Sequence, residues 1–122
     1  MERVYEFTQD GKNFVFIDFS GLSTDKEFLG VIDLAIPVIS KYPEQSVYTI
    51  TNIANLRFDS NTKSIATRYM EENKPYVRYG VLIGLDGIKK MMAKTVMKLS
   101  GRSNMHFTFT KEQAIEWLLR HG

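Results

Sequence analysis

Val47-Tyr48-Thr49-Ile50-Thr51-Asn52-Ile53, followed after a short loop by Asp59-Ser60-Asn61-Thr62, is the stretch on which the reading of this chain turns. The first run is β-branched and aromatic, with no charge, and reads as a strand. The second is a set of helix-opening residues, and Ile65, Ala66, Tyr69 and Met70 continue it at helical spacing. A strand that ends beside a polar helix start gathers unpaired N–H groups, a partial positive charge and short hydroxyl side chains at the carboxyl edge of a sheet. The functional locus is expected there.

Outward from this stretch the chain is an ordinary one. It has 122 residues, of which 43% are hydrophobic and 25% charged, enough for one globular domain covering 1–122. Its lack of cysteine excludes disulfides, thiolate metal sites and cysteine nucleophiles, and fits a reducing compartment. The start, Met-Glu-Arg-Val-Tyr, has no apolar run of a signal peptide, and nothing approaches the ~18 uninterrupted apolar residues of a membrane span. The expected location is cytoplasmic. A net charge of +2 does not argue for nucleic acid, and the basic residues lack the interleaved exposed aromatics that stack on bases.

Before the central strand, Val4–Thr8 and Phe14–Phe19 form a hairpin, because Asp10-Gly11 supplies the positive φ values of a tight primed turn. The second of these runs is apolar on both faces and reads as interior; the first alternates and reads as an edge. Thr24 and Glu27 have capping-box spacing, opening a helix to about Tyr42. Its apolar residues span roughly 220° of the wheel, wider than one sheet contact needs. Deeper burial, a homodimer face or the wall of an apolar cavity would each use that surplus. Pro37 inside it costs about 3 kcal/mol, so a kink or break is expected.

After the central strand, a second helix runs from about Ser60 to Glu72 and is stopped by Asn73-Lys74-Pro75. Val77–Leu85 reads as a buried parallel strand, and Gly84-Leu85-Asp86-Gly87 turns the chain into a third helix from about Ile88 to Leu99. There Ile88, Met91, Met92, Thr95, Val96 and Leu99 form the stripe expected to pack, with Lys89, Lys90, Lys94, Lys98 and the following Arg102 on the remaining, outward surface. Met97 falls among those lysines, a pattern that fits peripheral membrane contact or an acidic partner. Met105–Phe109 is a last short strand. Thr110 and Gln113 then cap a helix carrying Ala114, Ile115, Trp117 and Leu118.

The order β-β-α-β-α-β-α-β-α implies an α/β fold with a mixed five-stranded sheet, right-handed crossovers and about four helices. In this order, with Phe58-Asp59-Ser60 after the central strand and the later strand-Gly-helix segment, the chain resembles the STAS domain, the SpoIIAA-like fold of bacterial anti-sigma-factor antagonists. Tyr48–Asn52, Asn73–Val77, Gly84–Lys90 and Ser100-Gly101-Arg102 resemble more closely a group of small bacterial STAS/Sec14-like proteins. The first resemblance implies a non-enzymatic regulatory module that contacts a protein partner, a kinase or anti-sigma factor. Ser60 is then the position matching the phosphorylated serine, with Asp59, Asn52 and Asn61 beside it. The family motif continues Ser-Gly-Leu, whereas this chain has Ser60-Asn61-Thr62-Lys63. An N-cap role alone also accounts for Asp59 or Ser60.

The Sec14-like resemblance implies instead a carrier or sensor of a lipid or other small apolar ligand, with Phe14, Phe16, Phe28 and Tyr42 as pocket candidates; core packing also accounts for them. Lys89 and Lys90 are candidates for an anion contact at the third helix N-terminus, although a plain turn also explains Gly84–Gly87. No catalytic or metal-ligating set is legible: His106 and His121 have no carboxylate pattern near them, and neither a Gly-x-Ser-x-Gly nor a phosphate-loop signature occurs. No cofactor is implied.

Overall fold

A computed structural model describes residues 2–122. Its elements run β1 Val4–Gln9, β2 Lys12–Asp18, α1 Asp25–Ser40, β3 Val47–Asn52, α2 Ser60–Asn73, β4 Val77–Ile83, α3 Gly87–Leu99, β5 Met105–Phe107 and α4 Lys111–His121. The strands lie side by side in chain order, β1 antiparallel to β2 and the rest parallel. Asp10 (φ 52°) and Gly11 (φ 75°) make the primed hairpin turn that the Asp-Gly pair requires. No helix among the described residues is long and apolar enough to cross a membrane.

Consecutive strand order has a geometric consequence. Each parallel step must cross over right-handedly, so α1, α2 and α3 all pack on one face of the sheet. Only α4, which follows the last strand, is left to cover the other. Two cores result. Val15, Ile17, Val47 and Val77 pack with Phe28, Ile32, Ala35 and Ile39 of α1 and with Tyr69 of α2. On the reverse face Phe14, Phe16, Tyr48, Ile50, Val81 and Ile83 meet Ala114 and Leu118 of α4. The ammonium of Lys111 stands 4.9–5.2 Å from the ring centroids of Tyr5, Phe7 and Phe16, so its charge is held by aromatic faces. β3 is enclosed from Val47 to Thr51, as a strand covered on both sides should be.

Three expectations need correction. α1 runs unbroken through Pro37 and ends at Ser40. Pro37 and Asp33, whose carbonyl loses its donor, are both on the exposed side, open to solvent, while Val31, Ile32, Ala35 and Ile39 are buried opposite. Part of the surplus apolar arc remains uncovered, since Leu29 is 43% and Leu34 57% exposed.

The second correction concerns α3, which is turned relative to the stripe read from the sequence. Ala93 and Val96 are buried and Met97 is half-buried, whereas Ile88, Met91 and Leu99 are 71%, 70% and 57% exposed. The sheet beneath this helix ends in the three-residue β5, too narrow to receive a full stripe of a 13-residue helix. The small face, Ala93 and Val96, fits closest to it. Third, β5 stops at Phe107, and Phe109 is 85% exposed.

Packing is tight where β3, β4 and β5 meet. A Cβ on Gly80 would lie 2.7 Å from both Met105 Sδ and Thr49 Oγ1. Gly80→Val is therefore expected to destabilise the protein by about 1–3 kcal/mol. Urea unfolding followed by circular dichroism measures this, and a variant as stable as the parent would contradict the packing described.

Candidate functional site

The carboxyl edge of the sheet is assembled from three strand ends and stitched by backbone hydrogen bonds. Phe19 N–H donates to Asn52 O, Gly21 N–H to Ala54 O, Ile53 N–H to Ile83 O and Arg57 N–H to Leu22 O. The β3–α2 loop is thus fixed to the β2–α1 loop. Asn52 Oδ1 accepts from Ala54 N–H at 3.0 Å, closing an Asx turn that redirects the chain. The same oxygen would stand 2.6 Å from a Cβ on Gly84, whose φ of 80° already favours glycine. Asn52 is half-buried and spends its side chain on the turn.

At the start of α2, Asp59 is the N-cap. Its Oδ1 accepts from Thr62 N–H and Thr62 Oγ1–H, each at 3.0 Å, and its Oδ2 pairs with Arg57 at 2.6 Å. The bond from the Thr62 amide, then that from its hydroxyl and the Arg57 charge, hold the Asp59 carboxyl below its usual value. Arg57 also reaches Asp25 of α1 at 4.0 Å, and Asn61 Nδ2 donates to Asp25 Oδ2 at 3.4 Å. Ser60 occupies the first helical position and is exposed. Among the described residues its hydroxyl makes no hydrogen bond, although its carbonyl accepts from Ser64 Oγ. Arg57, Asp59, Ser60 and Asn61 therefore present a mixed-charge, hydrogen-bonding ledge around one uncommitted hydroxyl.

The other candidates do not converge. Phe14 and Phe16 belong to the core under α4, Phe28 to the core on the opposite face, and Tyr42 lies at the end of α1, where its hydroxyl and Lys41 both bind Glu6. Period-two alternation along β2 separates them: even positions point to α4, odd ones to α1. They line no common pocket. At α3, Asp86 caps the helix by accepting from Lys89 N–H at 2.8 Å, placing a carboxylate where an anion would sit. Lys90 turns back over the Phe107 ring, 5.3 Å from its centroid.

A cavity of about 60 Å³ does exist elsewhere, between α2, α3 and strands β3, β4 and β5. Phe19, Phe28, Thr49, Thr51, Leu82, Val96 and Arg102 are among its walls. Only Phe28 of the four aromatic candidates reaches it. Thr49 and Thr51 were visible as β-branched strand residues, but an alternation that puts hydroxyls on an apolar face signals a site only once the facing helices are known.

No protein-family model matches this chain, and no curated protein matches it. Its architecture does have a counterpart among solved structures. An anti-sigma-factor antagonist (STAS) domain protein from Planctomyces limnophilus superposes with a TM-score of 0.60, over 94% of this chain and 97% of that one. This chain has the STAS fold. At 7% sequence identity the likeness is one of backbone architecture. The mixed five-stranded sheet and four helices of the STAS fold are those anticipated from the element order.

The Asp59 cap has a pH signature. Because the folded carboxyl titrates below its unfolded value, the unfolded chain binds the proton more readily, and the cap's contribution is complete above the ordinary carboxylate range and lost as pH falls through the lowered value. Asp59→Ala is expected to lower the thermal midpoint at neutral pH and to leave it nearly unchanged in acid, where the parent has already lost the cap. Thermal unfolding of both proteins across the acid range reads this directly.

Proposed function

We propose that this protein is a non-enzymatic regulatory module that binds a protein partner through the carboxyl edge of its sheet, with Ser60 as the position at which modification switches the contact. The observation that carries this reading is the isolation of the Ser60 hydroxyl: it is exposed at the first position of α2, while its neighbours Asp59, Thr62 and Asn61 are engaged in hydrogen bonds. A hydroxyl so placed suits both partner contact and phosphorylation. Phosphate there adds a charge of about −1.5 to −2, attracted by the helix N-terminus yet set among Asp25 and Asp59. The charge presented to a partner, near balance before, becomes strongly negative. The likeness to an anti-sigma-factor antagonist domain supports a regulatory role, with a cytoplasmic kinase or anti-sigma factor as the partner class.

A second reading, a carrier or sensor of a small apolar molecule, is favoured by the cavity beneath α2 and α3.

Partner capture from cell extract separates the first reading from a purely structural role for Ser60. Ser60→Asp is expected to recover a partner poorly that the parent and Ser60→Ala recover well, with all three unfolding at similar temperatures. Equal recovery by the three proteins would remove Ser60 from the contact.

A further inference from the structure

The walls of the cavity are chemically uneven. Most are apolar, but the guanidinium of Arg102 is one of them, and this residue is only 5% exposed. A buried cation ordinarily requires a counter-charge, because the loss of its hydration has to be offset by attraction to an anion. Arg102 forms no ion pair among the described residues. Its partners are neutral: Nε donates to Asn104 Oδ1 at 2.9 Å, one terminal nitrogen to Met70 O at 3.1 Å and to Asn73 Oδ1, and the other only to Met105 Sδ at 3.4 Å. A thioether sulfur is a weak acceptor, so that last nitrogen is under-used. Burial pushes the guanidinium down to about 10, and it remains charged at neutral pH.

Two further groups face the same space. Thr49 and Thr51, 5% and 8% exposed, project from β3 into the cavity, and neither hydroxyl bonds to another described residue. Among the described residues no fully enclosed side-chain polar atom is left unsatisfied, so these hydroxyls open onto the cavity rather than being sealed without a partner. Phe58, Ala66, Met97 and Met105 at its margin are half-buried, which brings it close to the surface, and the two methionines are flexible walls.

We propose that this cavity is a binding site for a small organic anion, a short-chain monocarboxylate whose carboxylate pairs with Arg102 and the threonine hydroxyls while its alkyl end lies among Phe19, Val96 and Met97. The inference rests on the second reading above, that the cavity holds a ligand, and names the ligand's chemistry. A volume of about 60 Å³ limits the enclosed part to a few heavy atoms. The carboxylate supplies the charge that the fold withholds from Arg102, through the terminal nitrogen whose present acceptor is the Met105 thioether.

The test titrates the protein with sodium butyrate, and separately with butyramide, the neutral analogue of the same shape, at constant ionic strength. Methyl resonances of Met97 and Met105 report occupancy. Butyrate is expected to shift both saturably and to bind about tenfold or more tightly than butyramide, as loss of a charge-assisted contact predicts. Thr49→Val with Thr51→Val preserves shape and is expected to weaken butyrate about tenfold while leaving butyramide within about threefold. Arg102→Met should abolish the preference for the anion; since Arg102 also holds the end of α2, the threonine variant keeps the test decisive if that protein does not fold. Equal affinity for butyrate and butyramide would overturn the anion inference while leaving an apolar ligand site standing. Absence of any saturable shift with either probe would overturn both.

Discussion

Everything in this structure depends on enclosing β3. A parallel strand with both faces apolar needs a layer on each side, and the chain supplies these layers unequally: three crossover helices on one face, one terminal helix on the other. The crowded face can be filled by aliphatic residues from α1, and there Val47 and Ile39 are sealed. Where α1 gives way to α2 and α3 the strand changes from valine to threonine, and the packing opens into a cavity. The reverse face, served by α4 alone, is filled with large rings from Phe14, Phe16 and Tyr48. Side-chain size thus compensates for the number of helices available on each side.

The carboxyl edge follows from the same constraint. Parallel strands all finish at one end, and the loops leaving β2, β3 and β4 must diverge there to reach their helices. Asn52, Gly84 and Asp59 are residues that permit those departures: an Asx turn, a left-handed glycine and a helix cap. The Asn52 and Asp59 side chains are committed to backbone amides. Ser60 is left outside this network, so its hydroxyl can change without removing a structural support.

Most of the element order was legible because its signals are local. The Asp10-Gly11 turn, the capping boxes at Thr24 and Thr110, and the apolar runs of β2, β3 and β4 each lie within a few residues and point the same way. The errors arose where the deciding partner is distant in sequence. Met91 and Leu99 share with Val96 the stripe that the spacing suggests, yet only Val96 of these three is buried, with Ala93 beside it, because β5 is short. Phe14 and Phe28 are both core aromatics, but the pleat places them on opposite faces. Arg102, expected on the surface with the α3 lysines, is instead buried, and its burial depends on Met70 and Asn73, some thirty positions earlier. No window of sequence contains that relation.

The side-by-side ordering of the strands also bears on how the molecule is made. Every strand pairs with its predecessor, so no segment has to await the carboxyl terminus before finding its neighbour in the sheet. A chain emerging from the ribosome can extend the sheet by one crossover unit at a time. The face under α4 is the exception, because Phe14 and Tyr48 remain uncovered until the final eleven-residue helix is synthesised. During that interval the nascent protein displays a sheet surface rich in aromatic rings, the very surface a chaperone would recognise.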